Sequence, residues 1–312
     1  MSAEVKARLR VGTRGSPLAL AQTAAVCEQL SRVHHLETGD IEVRIIKTTG
    51  DQIQYRPLAE IGGKGLFTKE LEVALASREI DFAVHSTKDM TTALPTGLVI
   101  SAFLEREDAR DVLISREERP FKELPPGASL GTTSLRRDAQ ARRLRPDLKV
   151  QSLRGNVHTR LRKVGDGEID ATILGMAGLK RLGLTEAITQ VLSLDEFLPA
   201  VGQGVVAIET REDDENTRTL LSAINHRPTA TAVTAERAFL AEVDGSCRMP
   251  IAGYAEVSGS ALHFRAMVFR PASSEVFETE RTGDAADAET IGIDAGAELK
   301  SQMSVSHLAK VV

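Results

Sequence analysis

The sequence predicts an α/β protein with largely parallel sheets, followed by a smaller α+β domain. Three observations carry this. Short apolar runs alternate with amphipathic stretches as far as the Asn225-His-Arg-Pro228 segment, the rhythm of β-α-β units. Beyond that segment come three successive strand-like runs, with period-2 stretches such as 263–268, and then one helix, the pattern of a small antiparallel sheet. The chain has 312 residues, 42% of them hydrophobic, enough for more than one core.

In chain order, residues 8–13 read as a strand and 17–30 as a helix. Ser16 stands as N-cap, and Pro17 takes the first helical position, where its missing N–H costs nothing. A strand at 41–48 precedes a helix near 67–77, and the apolar runs 81–85 and 98–104 are strands. The charged stretch 105–111 reads as a boundary. Strands follow at 112–115 and 129–131, then a helix at 135–144 capped from within 132–134. A strand at 149–153, a helix at 157–164 capped by Asn156, and a strand at 171–174 continue the alternation. After a strand at 205–209, helices are expected at 214–223 and 229–243. The last part holds strands at 251–257, 261–269 and 275–280, and a helix over 285–302.

Composition excludes several classes. Net charge is −5, from 39 basic and 44 acidic side chains, which argues against a disordered tail and against a uniformly basic nucleic-acid binder. No apolar run approaches the roughly 18 residues of a membrane span. The first residues, Met1-Ser-Ala-Glu-Val-Lys-Ala-Arg8, show no secretory core, and two cysteines, Cys27 and Cys247, build no disulfide framework. A cytoplasmic protein is expected.

The basic residues are skewed in kind and place. There are 28 Arg against 11 Lys, and Arg is the planar fork that grips carboxylates in pairs of bonds. Residues 129–181 hold 12 basic and 5 acidic side chains, whereas 275–299 hold 1 basic and 8 acidic. An Arg-rich middle in an acidic chain fits a small anionic ligand, although a solvated basic face is the plainer reading.

Three strand-to-helix turns repeat one theme. Thr13-Arg-Gly-Ser-Pro17, Gly131-Thr-Thr-Ser-Leu-Arg-Arg137 and Ser152-Leu-Arg-Gly-Asn-Val-His-Thr-Arg160 each join Arg to hydroxyl or amide caps. Such turns fall at the carboxyl ends of strands, where free N–H groups meet ligands. Arg136 and Arg137 lie in a first helical turn, where the macrodipole disfavours cations by ~0.3–1 kcal/mol each, so a compensating anion is expected. Asp81-Phe-Ala-Val-His-Ser-Thr-Lys-Asp89 places Lys88 and Asp89 just past a buried strand; Asp89 is either a charge stabiliser or one half of a surface salt bridge. In Asp244-Gly-Ser-Cys-Arg-Met-Pro250, Cys247 is either a reactive loop thiol or an ordinary one, while Cys27 reads as core packing. Gly62-Gly-Lys-Gly65 lacks phosphate-loop spacing, and no metal-ligand spacing appears.

In order and spacing these segments resemble one family. They include Thr13-Arg-Gly-Ser-Pro-Leu-Ala-Leu-Ala-Gln22, Gly62-Gly-Lys-Gly-Leu-Phe-Thr-Lys-Glu-Leu-Glu72 and Asp81-Phe-Ala-Val-His-Ser-Thr-Lys-Asp-Met90. The two Arg turns, Ala177-Gly-Leu-Lys-Arg-Leu-Gly-Leu184, Leu198-Pro-Ala-Val-Gly-Gln-Gly204 and Gly245-Ser-Cys247 complete the set. From about residue 8 to 258 the chain is similar to the porphobilinogen deaminases, also called hydroxymethylbilane synthases. Three departures stand out: Ala21 where Trp is frequent, Thr91 where Pro is common, and His158 where Gly is usual.

The resemblance implies a cytoplasmic, monomeric transferase with two lobes like those of periplasmic binding proteins, at 5–104 plus 205–224 and at 105–204. A C-terminal α+β domain at 225–312 would carry the cofactor cysteine. The implied cofactor is a dipyrromethane on a thioether to Cys247, a primer onto which four porphobilinogen molecules add with loss of ammonia before hydroxymethylbilane is released. It implies Asp89 as the catalytic residue. Lys88, Asp89, Thr132, Ser134, Arg136, Arg137, Arg154 and Gly155 would hold the cofactor. Arg14, Ser16, Arg154, Arg160, Arg181 and Gln203 would hold the substrate. No metal, membrane or nucleic acid is expected. The competing reading is a non-catalytic two-lobe binding protein for a small polycarboxylate, which explains the Arg turns and leaves Lys88, Asp89 and Cys247 without a task.

Overall fold

The computed structural model describes residues 9–37, 39–52, 65–243, 249–270 and 275–309, with side chains described through 304. Cys247, most of Gly62-Gly-Lys-Gly65 and residues 5–8 of the expected first lobe lie outside the described residues. The chain forms two compact units: residues up to 52, 65–106 and 205–230 in one, and 107–204 with everything from 231 onward in the other.

The first unit is built on a five-stranded sheet. Strand β1 (Leu9–Thr13) runs parallel to β2 (Ile41–Ile45) on one side and to β3 (Phe82–Ser86) on the other. Strand β10 (Val206–Arg211) returns antiparallel to β3 and pairs beyond it with β4 (Leu98–Phe103), giving the order β2-β1-β3-β10-β4. Helix α1 (Pro17–His34) covers one face, where Val26 and Leu30 pack on Val11, Phe82, Val84 and Ile208. A short α2 (Thr49–Gln52) and then α3 (Lys69–Ala76) follow, and Leu71 and Leu75 of α3 pack on Ala83 and Leu98 across the other face. Burial on both faces is why β3 and β10 read as continuous runs without alternation.

The second unit repeats that plan. Strand β6 (Ser129–Gly131) runs parallel to β7 (Lys149–Gln151) and β8 (Ala171–Gly175). Strand β5 (Asp111–Ser115) is antiparallel to β8 and to β9 (Gln190–Val191), so the order is β7-β6-β8-β5-β9. Each sheet is thus a parallel trio plus an antiparallel pair, and the first strand of that pair belongs to a connection between units. Helix α4 (Leu135–Leu144) packs Ala141 on Leu130 and Ile173. On the opposite face α5 (Val157–Gly165) and α6 (Met176–Leu182) bring Val164 and Leu179 onto Val112 and Leu174.

The C-terminal part of this unit is an antiparallel meander, β11 (Ile251–Ser258), β12 (Ala261–Phe269) and β13 (Val276–Asp284), under α8 (Arg227–Glu242) and α9 (Ala288–Ala309). Phe239 and Phe264 meet edge to face at 5.3 Å in its core, which also takes in Val201. Fully buried Glu236 accepts from the N–H groups of Gly202 and Ala255 at 2.6 and 2.8 Å, tying this sheet to the 199–204 turn.

Helix α7 (Glu215–Ser222) and α8 fall near their expected places. Helix α6 and strand β9 were not expected; seven and two residues are too few to show a period. Strand β2 stops at Ile45, short of residue 48. Strand β13 runs on to Asp284, which caps a 3-10 turn and delays α9 to Ala288.

Candidate active site

In the first unit a pocket opens at the carboxyl ends of β1 and β3. Arg14, Ser16, Gln22, Phe67, Ser86 and Asp89 line it. Ser16 caps α1 by accepting the Ala19 N–H at 3.2 Å, which puts the helix start, with its positive dipole end, beside the pocket. Asp89 ends a 3-10 turn directly after β3. Its carboxylate makes no hydrogen bond or ion pair with any described residue. The pocket's cation is already matched: Arg14 grips Asp51 with bonds of 2.5 and 3.2 Å, and its guanidinium stacks on Phe67 at 4.2 Å. Burial works to raise the Asp51 carboxyl, but the Arg14 and Thr48 bonds outweigh it and hold the group below its ordinary value. Gln22 and Ser86 bond each other at 2.9 Å.

In the second unit the corresponding strand ends carry a cluster of arginines. Ser134 caps α4 through the Arg137 N–H, and the Thr132 hydroxyl accepts from the Ser134 N–H at 3.1 Å. Arg136 and Arg137 are buried, 5% and 6% exposed, and both pair with Asp111, which is fully buried. Asn156 caps α5, and Gly155 just before it has φ 118°, where a Cβ would sit 2.6 Å from Thr159. Arg160 donates to the Gly155 carbonyl at 2.9 Å. Burial, together with the like charges of Arg137 and Arg154, pushes Arg160 down to about 10. Three arginines therefore crowd together, and the buried Asp111 carboxylate is shared between Arg137 and a fourth, Arg136. That arrangement fits a ligand with several carboxylates.

The structure brings Arg14, Ser16 and Asp89 to one pocket, and Arg137, Arg154, Arg160 and the Thr132, Ser134 and Gly155 turns to one cluster. Lys88 is exposed beside Asp89. Two expected ligand-binding residues are engaged by the protein itself. Gln203 is 2% exposed and donates to the Ala109 carbonyl and Asp111 at 2.7 and 2.8 Å. Arg181, on α6, donates to the Gly204 carbonyl at 2.8 Å, and burial lowers its pKa against the pull of Glu107. The anion expected beside Arg136 and Arg137 is supplied in part by the chain, as Asp111. Sequence reading passed over Asp111, Asp51 and Phe67. The first could have been found by asking which acidic residue opens an apolar run, since Asp111 directly precedes Val112-Leu-Ile114.

Two family models match the chain: the dipyrromethane cofactor binding domain of porphobilinogen deaminase over residues 9–219, and the C-terminal domain of porphobilinogen deaminase over 230–301. A porphobilinogen deaminase of Nitrobacter winogradskyi is 53% identical over 292 residues, covering 94% of this chain and 92% of that one. One of Paracoccus denitrificans is 52% identical over 294 residues, covering 94% of each. Among solved structures, the BvgS VFT2 domain of Bordetella pertussis aligns at 16% identity and a TM-score of 0.41, over 70% of this chain and 85% of that one.

Proposed function

The chain belongs to the porphobilinogen deaminase family, and from that premise we propose how its residues divide the work. The enzyme is a transferase that condenses four porphobilinogen molecules with loss of ammonia and releases hydroxymethylbilane. When bound, its dipyrromethane supplies a fixed pyrrole end for the first addition and stays with the protein. The donor set fits that group. A dipyrromethane built from porphobilinogen carries acetate and propionate side chains, and Arg137, Arg154 and Arg160 gather the guanidinium forks that suit them.

The reading of the site is carried by one observation: Arg137, Arg154 and Arg160 come together at the strand ends, so that like charges press on Arg160. Arg137, Arg154 and Arg160, with the N–H groups and hydroxyls of the Thr132, Ser134 and Gly155 turns, hold ligand carboxylates. Arg136 holds α4 to the Leu198 carbonyl and Asp111 as part of the same platform. Cys247 bears the thioether. Asp89 is the catalytic residue. Loss of ammonia breaks the aminomethyl C–N bond of porphobilinogen, with the electron pair leaving on nitrogen, and positive charge develops over the pyrrole ring. An unengaged carboxylate at the rim of β3 stabilises that charge and orients the pyrrole N–H. Lys88, beside it, takes a ligand carboxylate. Ser16 and Arg14 receive porphobilinogen's own carboxylates, Arg14 by sharing or exchanging Asp51. Arg181 and Gln203 act from behind, by fixing the 203–204 segment.

The proposal keeps three parts, a lobe at 5–104 plus 205–224, a lobe at 105–204 and a domain at 225–312, supported by three separate sheets. It takes the protein as a cytoplasmic monomer, in keeping with its sparse cysteine. No helix among the described residues is long and apolar enough to cross a membrane. Intact mass under denaturing conditions, followed by peptide mapping, tests the reading. The expected excess is two porphobilinogen units less two ammonias, on the Cys247 peptide. A bare chain that gains nothing on incubation with porphobilinogen, or a Cys247→Ser variant that still carries the excess, overturns it.

A further inference from the structure

Asp111 stands at the centre of the arginine site. Its Oδ1 accepts from Arg137 Nε and Nη2 at 3.2 and 2.8 Å and from Gln203 Nε2 at 2.8 Å. Its Oδ2 lies 2.8 Å from Arg136 Nη2. Burial works against the charge of Asp111, and the two guanidiniums with the Gln203 amide outweigh it, so the group stays ionised far below the usual carboxylate range.

Stability is a poor reason for this arrangement. Apolar residues of similar volume often match or exceed the contribution of a buried ion pair. Geometry is the better reason. Asp111 holds Arg137 along its Nε and Nη2 edge, which fixes the plane of the guanidinium, while Nη1 is left out of that grip. Arg137 in turn lies within electrostatic reach of Arg160. The other bonds anchor Asp111 itself. Arg136 Nη1 and Gln140 Nε2 reach the Leu198 carbonyl at 2.6 and 3.1 Å, and Gln203 Nε2 reaches the Ala109 carbonyl at 2.7 Å. These carbonyls belong to the segments by which the chain enters this unit after Arg106 and leaves it at Gly204.

We propose that Asp111 is a positioning residue for primer loading: it aims Arg137 at a ligand carboxylate and locks that aim, through Arg136 and Gln203, to the 109–111 and 198–203 segments. This rests on the family reading of the arginine site.

The test uses full-length protein made in cells without porphobilinogen, as wild type, Asp111→Asn and Glu236→Gln. Glu236 is as deeply buried in the same unit and accepts from the N–H groups of Gly202 and Ala255, so it controls for loss of a buried carboxylate beside the same turn. Each is incubated with porphobilinogen, and mass gain and melting temperature are followed on one sample. Among folded molecules, Asp111→Asn is expected to load about tenfold more slowly than Glu236→Gln. Adding Arg137→Gln to Asp111→Asn is expected to slow loading little further, because the arginine has already lost its aim. Loading of folded Asp111→Asn at the Glu236→Gln rate, or an undiminished Arg137→Gln effect in its background, overturns the proposal. If Asp111→Asn does not fold, Gln203→Leu replaces it; it keeps both ion pairs and removes one donor. Loading a few-fold slower supports the proposal, and unchanged loading overturns it. A wild-type chain that gains no mass overturns the family reading of the site together with this inference, whereas failure of the inference alone leaves wild-type loading intact.

Discussion

The two lobes share a strand order and differ in charge. In each, a parallel trio ends in capped helix starts, Ser16 in one lobe, Ser134 and Asn156 in the other. In the first lobe the arginine of the pocket is matched within the protein. Arg14 has Asp51, and among the described residues the Asp89 carboxylate has no partner. In the second lobe several arginines gather near one buried carboxylate, that of Asp111. One scaffold thus offers a negative charge at one set of strand ends and positive charge at the other. Under the proposed function the difference is a division of labour: the arginine lobe would hold carboxylates, and the aspartate lobe would meet the positive charge of the reaction.

The sharpest way to break that division is Asp89→Asn. It keeps size and hydrogen bonding and removes the charge. With primer already loaded, single-turnover release of ammonia should slow by about 10²–10³, the scale of losing one preorganised electrostatic contact. Primer content by mass and the melting temperature should stay at wild-type values. Near-normal turnover would place the stabilising charge elsewhere.

Arg160→Gln probes the other lobe and should act in the opposite sense. Arg160 has a pKa lowered by burial and by Arg137 and Arg154 to about 10, so its charged form is disfavoured in the folded state. The unfolded chain binds that proton more tightly, so the stability penalty is fully present at neutral pH and is relieved only as pH rises through about 10. Ligand-free Arg160→Gln should therefore melt above wild type, by about 2–4 °C. Primer loading should reverse the order, because only wild type then gains a paired cation. A variant that melts lower in both states would make Arg160 a structural residue.

Much of this contrast was legible in the sequence. The three N-caps, the strand-to-helix turns and Asp89 after a buried run all follow from local patterns, and local patterns are what a sequence displays. The pairing of charges was not legible. Asp111 and Arg137 lie 26 positions apart, and Arg14 and Asp51 lie 37 apart. A charge count over a window shows surplus but not which arginine is already neutralised; that depends on which strands are neighbours. The engagement of Gln203 was hidden for the same reason. It sits in a Gly-rich turn that looks open, yet it is covered by β5 and α4 and spends its amide on Asp111.

Matched glycine substitutions sharpen the comparison at the level of backbone. Gly155 sits at φ 118° and a Cβ there would meet Thr159 at 2.6 Å, whereas at Gly15 a Cβ would meet only Ile45 Cγ2, at 3.2 Å. Gly155→Ala should cost about 1–3 kcal/mol and loosen the start of α5, lowering primer loading with it. Gly15→Ala should cost less than half as much and leave loading unchanged. Thermal melts of the two variants, side by side, check the ranking; equal losses would mean the turns are equivalent.

The smallest effect belongs to Cys27, the thiol of the first lobe. It packs beside Val26 and Leu30, and burial pushes it up to about 11. At pH 8 roughly one thiol in a thousand is then ionised, and only the thiolate reacts. Iodoacetamide on ligand-free protein at pH 8 should label the Cys247 peptide and leave the Cys27 peptide bare. Labelling of Cys27 should climb about tenfold per pH unit as pH approaches 11, since the thiolate fraction rises in that proportion. Cys27→Ala should load primer and turn over within about twofold of wild type, since a silent thiol packed in the first lobe contributes only bulk. Ready alkylation of Cys27 at pH 8 would mean that α1 opens in solution, and the matched charges at its amino end would then no longer describe a fixed pocket.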